Sequence, residues 1–266
     1  MAIQLKEERL DKILKVIRQS GQVTVAELSR HFQISDVTIR RDLRELAARG
    51  LLRRAHGGAL LAVPHPLEPP VLQRMSDERD AKERIGRAAA DLLVDGESVF
   101  IGSGTTTAHI ARHLVNRKNL TVVTNALNIA TGLATAEGVT VVVTGGMMRA
   151  SELSLVGHIA EQSLREIRVD KVIIGIPAIS LESGLTNDYL PEVMTDRAII
   201  EMSPQLILVA DHTKFNQVAS AYVAPVERIA TLVTDAETDP EILVRLREMN
   251  IQVIVVPEAS PVVRTT

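Results

Sequence analysis

The sequence predicts a mostly parallel α/β domain preceded by a winged helix-turn-helix unit, and three observations carry that expectation. From residue 99 onward seven short apolar runs, at 99–101, 120–124, 139–144, 171–175, 206–210, 231–234 and 251–256, alternate with helix-length stretches such as 107–115 and 240–249. Strands that recur with helices between them build a parallel sheet covered by those helices. The stretch 35–59, SDVTIRRDLRELAARGLLRRAHGGA, sets arginines around a short amphipathic helix and follows it with a basic, glycine-centred turn. Charge is divided along the chain: residues 1–60 hold 12 Lys/Arg against 7 Asp/Glu, a net +5, while residues 61–266 carry −8. A basic head on an acidic body confines the electrostatic footprint for a phosphate backbone to the head.

In the head, Leu10, Ile13, Leu14 and Ile17 recur at helical spacing and predict a first helix over 6–20, stopped at Gly21. Residues 22–25 are β-prone, and Thr24 can cap a second helix that runs through Phe32 with Val25, Leu28 and Phe32 on one side. After the turn at Gln33-Ile34, Ser35 is a good N-cap for a third helix, which Gly50 ends. Its Ile39, Leu43 and Leu46 form the buried stripe and leave Thr38, Arg40, Arg41 and Arg44 outside it. Two leucines, two arginines and His56-Gly57-Gly58 then suit two short strands around a tight turn, a wing.

A recognition helix enters the major groove with its N-terminal residues on base edges, which nominates Ser35, Val37, Thr38 and Arg41. Arg40 and Arg44 fall on base edges or phosphates, and Arg53, Arg54 and His56 ride on the wing against phosphate or minor groove. Aromatics at 2% of 266 residues argue against single-strand recognition, which stacks bases on aromatic rings. The absence of cysteine excludes disulfides, thiolate catalysis and cysteine-ligated metals. No run approaches the ~20 apolar residues of a membrane span, and the charged N-terminus lacks a signal-peptide core, so a cytoplasmic protein is expected.

Four prolines between 59 and 70 mark a semi-rigid spacer, giving a DNA-binding domain at 1–58, a linker at 59–74 and a sensing domain at 75–266. An amphipathic helix over 82–93 opens the body with Ile85, Ala88, Ala89 and Leu92 on one side. Ligands of open α/β sheets bind beyond the carboxyl ends of the strands, so the loops there are the candidate site. Gly102-Ser103-Gly104-Thr105-Thr106-Thr107 follows a strand and opens a helix, offering backbone amides, hydroxyls and a helix N-terminus to an anion. It lacks the lysine of a P-loop and the spacing of a dinucleotide fingerprint, which argues against nucleotide hydrolysis and NAD. Thr124-Asn125 and Gly145-Gly146 end the next two strands, and Asp211 and Lys214 follow the strand at 206–210. Lys214 can reach a phosphate, and Asp211 a hydroxyl or that lysine.

The run VTVAELSRHFQISDVTIRRDLRELAARGLLRRAHGGA resembles the signature of the DeoR family of bacterial transcription regulators, above all in TIRRDL and HGG. The resemblance extends through GSGTTT, the TN and GG pairs, Asp170-Lys171, GLT at 184–186 and DHTKF at 211–215. It implies an effector domain similar in fold to ribose-5-phosphate isomerase, and repression or activation of a sugar or polyol catabolic operon relieved by a phosphorylated effector. Asp188-Tyr189, Glu192-Val193, Thr195 and 197–201 look like the glycerol-3-phosphate repressor branch, which adds Glu192 to the effector-binding set. Ile176-Pro177-Ala178 departs from the family, where an acidic or small polar run ending in glycine is common.

Two other chemistries compete with this reading. Isomerisation needs a carboxylate base and a cation for the enediolate, for which Asp188, Glu192, Asp211 and Lys214 are candidates in an isomerase-like enzyme tethered to a DNA-binding head. His109 and His113, four apart on one helix, share a face as metal ligands do, but no glutamate follows His109 as in HExxH, and no metal or other cofactor is expected. One head covers too few base pairs for useful specificity, so a homodimer or homotetramer on double-stranded operator DNA is expected.

Overall fold

The computed structural model describes residues 22–48, 52–55, 58–61 and 69–258, together with 6, 9, 10, 12, 13, 16 and 17; at 22, 48, 52–55 and 58–61 only the backbone is described. The chain divides into two compact units, 1–68 and 69–266.

In the first unit the described residues of 6–17 are helical and bury Leu10, Ile13 and Ile17. Strand β1 (Gln22–Thr24) leads into α1 (Val25–Phe32), whose N-terminus closes in a reciprocal capping box between Thr24 and Glu27. Gln33 takes a left-handed conformation (φ 54°), and the turn is pinned by Ile34 N–H donating to Ser29 O at 3.2 Å and by the Ser29 hydroxyl donating to Ile34 O at 2.6 Å. Helix α2 (Asp36–Ala48) follows, then strands β2 (Leu52–Ala55) and β3 (Gly58–Leu61). They pair antiparallel, and β3 also takes β1, giving the sheet order β1-β3-β2 of a winged helix-turn-helix. Of the residues expected in the linker, 59–61 are paired in β3 and 69–74 belong to the second unit, while 62–68 lie outside the described residues.

The second unit opens with a short helix, α3 (Val71–Arg74), and α4 (Arg79–Ala90). Its centre is a seven-stranded parallel sheet of β4 (Ser98–Ile101), β5 (Leu120–Thr124), β6 (Val139–Val143), β9 (Lys171–Ile174), β12 (Leu206–Val209), β14 (Thr231–Asp235) and β15 (Gln252–Val256) in the order β15-β14-β12-β9-β4-β5-β6. All seven expected strands are present. Helices α5 (Thr105–Leu114), α6 (Leu127–Leu133), α7 (His158–Glu166), α8 (Leu190–Ile200) and α9 (Pro240–Glu248) complete the domain. Alternate residues of each strand feed two cores, so Val99, Ile101, Ile173 and Ile207 pack with α4 and α5, while Phe100, Val172, Leu206 and Leu208 pack with α8 and α9.

Two pieces fall outside the expected alternation. A hairpin of β7 (Met147–Arg149) and β8 (Ser154–Val156) crosses beyond the end of β5, and β10 (Ala178–Ser180), β11 (Gly184–Asn187) and β13 (Ala221–Ala224) make a small antiparallel sheet. The order of the main sheet reverses at β4: β5 and β6 lie on one side, β9 and the later strands on the other. The loops after β4 and β9 diverge at this switch point, the place where open α/β sheets of this order form their ligand crevice.

Candidate functional site

The face of α2 follows from its spacing. Ile39, Leu43 and Leu46 are buried against the unit's core, which turns Val37, Arg40, Arg41 and Arg44 outward at i, i+3, i+4, i+7. Val37 is 78% exposed, an apolar side chain left bare at the start of the helix. Ser35 accepts from Thr38 N–H at 3.4 Å, and the two hydroxyls lie 3.0 Å apart, so the helix start is capped by side chains. Sequence reasoning missed what seats this helix: Asp42 is buried and takes both Arg9 Nε at 2.7 Å and Nη2 at 3.0 Å, a bidentate pair that ties α2 to the helical residues of 6–17. The wing is formed by β2 and β3, but the side chains of Arg53 and Arg54, and all of His56, lie outside the described residues.

At the switch point, Gly104 holds φ +140°, a conformation open to glycine, and α5 starts there with no side-chain cap. Thr105, Thr106 and Thr107 are buried, and Thr107 turns its hydroxyl back to Gly104 O at 3.1 Å; Gly102 is buried and Ser103 half-buried. The first turn of α5 thus points its amides at the crevice without a capping acceptor from its own N-cap.

The other strand-end residues divide by what their polar atoms already do. Thr124 donates to Ile101 O at 2.6 Å and accepts from Ala126 N–H at 3.0 Å, which ties the ends of β4 and β5 together. Asn125 is buried and gives its amide to Leu155 O at 3.2 Å, while its Oδ1 has no hydrogen-bond partner. Gly145 and Gly146 have φ of +72° and +119°, and a Cβ at Gly146 would come within 2.9 Å of Val156 O, so this pair packs the β7–β8 hairpin closely. Asp211 is buried, accepts from Thr213 N–H at 3.1 Å and from the Thr213 hydroxyl, and so caps the turn that carries Lys214. Its neighbour His212 bonds through Nδ1 to the buried Asp235 at 2.7 Å; against desolvation, which acts the other way, that carboxylate holds the imidazole above its ordinary pKa.

Glu192 sits in a buried network of its own. It takes Arg149 Nη1, the Ser154 hydroxyl at 2.9 Å and Asn187 Nδ2 at 3.4 Å, and Arg149 also stacks 4.2 Å from the centroid of Tyr189. One turn on, burial and then the charge of Glu192 push the Asp196 carboxyl up to about 8. Asp188 accepts from the Ser220 amide and hydroxyl at 2.9 and 2.8 Å. The carboxylates weighed for isomerisation are thus each engaged by other protein groups.

Lys82 was not singled out from the sequence. It lies on the first turn of α4, is 4% exposed, and donates from Nζ to Asp77 O at 2.6 Å and Arg74 O at 3.3 Å. Burial pulls its pKa down, and it stands within electrostatic reach of Asp211 and Lys214. A signal existed, since Lys82 heads the stripe of Ile85, Ala89 and Leu92, a place where a lysine is out of pattern. His109 and His113 both turn to Glu83, His113 Nε2 at 2.9 Å, so their spacing serves a carboxylate shared between α4 and α5. Among the described residues, Glu78, His212 and Glu237 bring three potential ligand atoms within 4.8 Å of one another, but both carboxylate residues are exposed.

A helix-turn-helix unit with an outward arginine stripe, joined in one chain to an α/β domain with a crevice at its switch point, is the architecture of a ligand-responsive transcription regulator. Comparison with known proteins makes the class specific. Residues 9–64 match the DeoR-like helix-turn-helix domain and residues 77–236 the DeoR C terminal sensor domain. The transcriptional repressor AccR of Agrobacterium fabrum is 36% identical over 239 residues, covering 90% of this chain and 93% of that protein. The glycerol-3-phosphate regulon repressor of Escherichia coli K12 is 35% identical over 245 residues, covering 92% and 97%. The chain belongs to the DeoR family of DNA-binding transcription regulators. Among solved structures, ribose 5-phosphate isomerase A of Methanocaldococcus jannaschii aligns at a TM-score of 0.39 and 16% identity over 52% of this chain and 55% of that one, a likeness that carries no functional weight. No helix among the described residues is long and apolar enough to cross a membrane.

Proposed function

We propose that the protein is a repressor of a sugar or polyol catabolic operon that leaves its operator when a phosphorylated sugar or polyol occupies the switch-point crevice. The observation that carries this reading is the start of α5, with a glycine at φ +140°, no side-chain cap and three buried threonines; to it the proposal adds Lys82 and Lys214, which lie in each other's field, as ammonium partners. Amides at a helix N-terminus together with ammonium groups suit a phosphate. Gly102, Ser103, Gly104, Thr105, Thr106 and Thr107 cradle it, and Asn125, with its unpartnered buried Oδ1, accepts from a hydroxyl of the effector. Glu192, Asp211, Thr124, Gly145 and Gly146 shape the crevice through the protein contacts they already make.

On the DNA side, Arg41 and Val37 read base edges, the latter suited to a thymine methyl, and Arg40 and Arg44 take phosphates or bases with the wing beside them. The heads work in pairs on a two-fold operator, as a homodimer or homotetramer in the cytoplasm. The role of the crevice is binding and not catalysis. Names of the relatives support repression, glycerol 3-phosphate among the candidate effectors.

A thermal-shift screen of sugars and polyols, each with and without phosphate, followed by an operator gel shift with every hit, tests the proposal. Phosphorylated compounds should raise the melting temperature and release the operator where their unphosphorylated forms do neither. Equal responses to both forms would overturn it.

A further inference from the structure

Strands of a parallel sheet need cover on both faces, and the edge strand β6 has it on one. Val139 and Val141 pack with Ile129 and Leu133 of α6 in the core that α4 and α5 also build. Thr140 and Val142, which alternate with them onto the opposite face, are exposed. Val123 of β5, the partner of Val142 in register, is buried in the other core, which therefore stops one strand short of the edge. The opposite edge strand is better covered: Val253 and Val255 of β15 pack on one core and Ile254 on the other. The bare surface continues past β6. Val143 ends that strand exposed, and Met147 and Met148 of β7 are 64% and 49% exposed. Ile159, on the first turn of α7 and 65% exposed, adjoins them, since a Cβ at Gly145 would stand 3.7 Å from its Cγ2. Residues 138–148, GVTVVVTGGMM, hold no charged side chain, although edge strands are usually guarded by lysine, proline or a bulge.

We propose that this face, built from Val142, Val143, Met147, Met148 and Ile159, is where a second copy of the chain docks. The inference rests on the reading that the heads work in pairs, and it names the surface that pairs them. The five side chains expose on the order of 400 Å2, close to the apolar share of the ~800 Å2 that each partner of a standard interface buries. A two-fold contact sets one patch against the same patch, so the patch must complement itself. An apolar face without charge meets its own image with no repulsion. The place also suits a regulator. Ser151 and Glu152, in the turn between β7 and β8, hold the first residues of the second unit: Val71 N–H donates to Ser151 O at 2.7 Å, and Arg74 gives Nη2 to both Glu152 oxygens at 2.6 Å. The hairpin that makes the contact thus also fastens the point where each chain enters its second unit, and pairing across it fixes the distance between the two entry points. Half-sites at a set spacing on a two-fold operator call for such a constraint.

Sedimentation of the full chain over a range of concentrations tests this. The parent should sediment as a dimer or tetramer. Met147→Glu and Val142→Glu, which bury like charges in the contact, should each weaken the pairing by about tenfold or more. Val244→Glu, at an exposed valine of α9, should leave it unchanged, and circular dichroism should show all three folded. Since the chain has no cysteine, Met148→Cys carries a single thiol, and a short bismaleimide should link it into covalent dimers where Val244→Cys yields none. Should both glutamate variants at the patch fail to fold, this cross-link decides. A parent that pairs, with Met147→Glu and Val142→Glu pairing as firmly, overturns the surface and leaves the paired heads standing. Equal loss with Val244→Glu overturns the surface too. A parent that stays monomeric, both free and on operator DNA, overturns the surface and the paired heads together.

Discussion

Two helix starts in this chain are built in different ways. Helix α2 is closed by the side chain of Ser35 and displays Val37, Arg40, Arg41 and Arg44 to solvent, whereas α5 begins on Gly104 without a side-chain cap and buries Thr105 to Thr107. The first presents side chains that can vary with the sequence to be read; the second presents backbone, which is the same whatever the residue. Recognition of a long duplex needs exposed, replaceable groups, and capture of one small anion needs a fixed dry cradle.

The comparison can be broken or sharpened by substitution. The largest effect is expected from Asp42→Ala, which strips the partner from Arg9 and should cost the first unit about 3 kcal/mol, less than a fully buried pair would because Arg9 is partly exposed. Calorimetry should show an early transition that operator DNA no longer suppresses, with the sensor transition unmoved. Gly104→Ala, at a φ of +140°, should weaken a phosphorylated ligand by about 2 kcal/mol while operator affinity in its absence is kept; unchanged ligand affinity by titration calorimetry would show that the backbone at this start is not the cradle. Arg41→Ala should give the reverse pattern, losing about 1–2 kcal/mol of operator affinity in a salt-controlled gel shift with ligand binding intact.

The smallest effect concerns pH. Asp196 holds its proton in the folded chain up to about 8, while the unfolded chain releases it near 3.8, so folding is increasingly disfavoured as pH rises between those values. Asp196→Asn removes that loss. The variant should match its parent at pH 4 and exceed it by about 1 kcal/mol at pH 8 in denaturant titrations, a figure reduced because the largely buried residue keeps some contact with solvent.

The sequence made legible what is periodic or repeated. The seven parallel strands are short apolar runs spaced by helices, and the stripe of Ile39, Leu43 and Leu46 fixes which face of α2 looks outward. What it hid is set by tertiary contact. β7, β8, β10, β11 and β13 are three or four residues long and carry too little pattern to show, and 176–178, which departs from its family, turns out to bury Ile176 and to start β10 at Ala178. Glu192 was visible as an acid on a helix, but its engagement by Arg149, 43 residues away, was not. The spacing of His109 and His113 puts them on one face of a helix, and only the packing of α4 on α5 reveals Glu83 as their shared partner.

The reversal of strand order at β4 has an evolutionary consequence. The strands meeting there, β4 and β9, carry residues with almost no exposure, Val99, Phe100, Ile101, Val172 and Ile173, which hold two cores at once and resist change. The crevice above them is made of loops, where a substitution alters what is bound without touching the cores. Under the proposed function, such a protein can change its effector by single steps, each leaving a folded regulator. Two relatives at 35% identity are named for different systems, the aga operon and the glycerol-3-phosphate regulon.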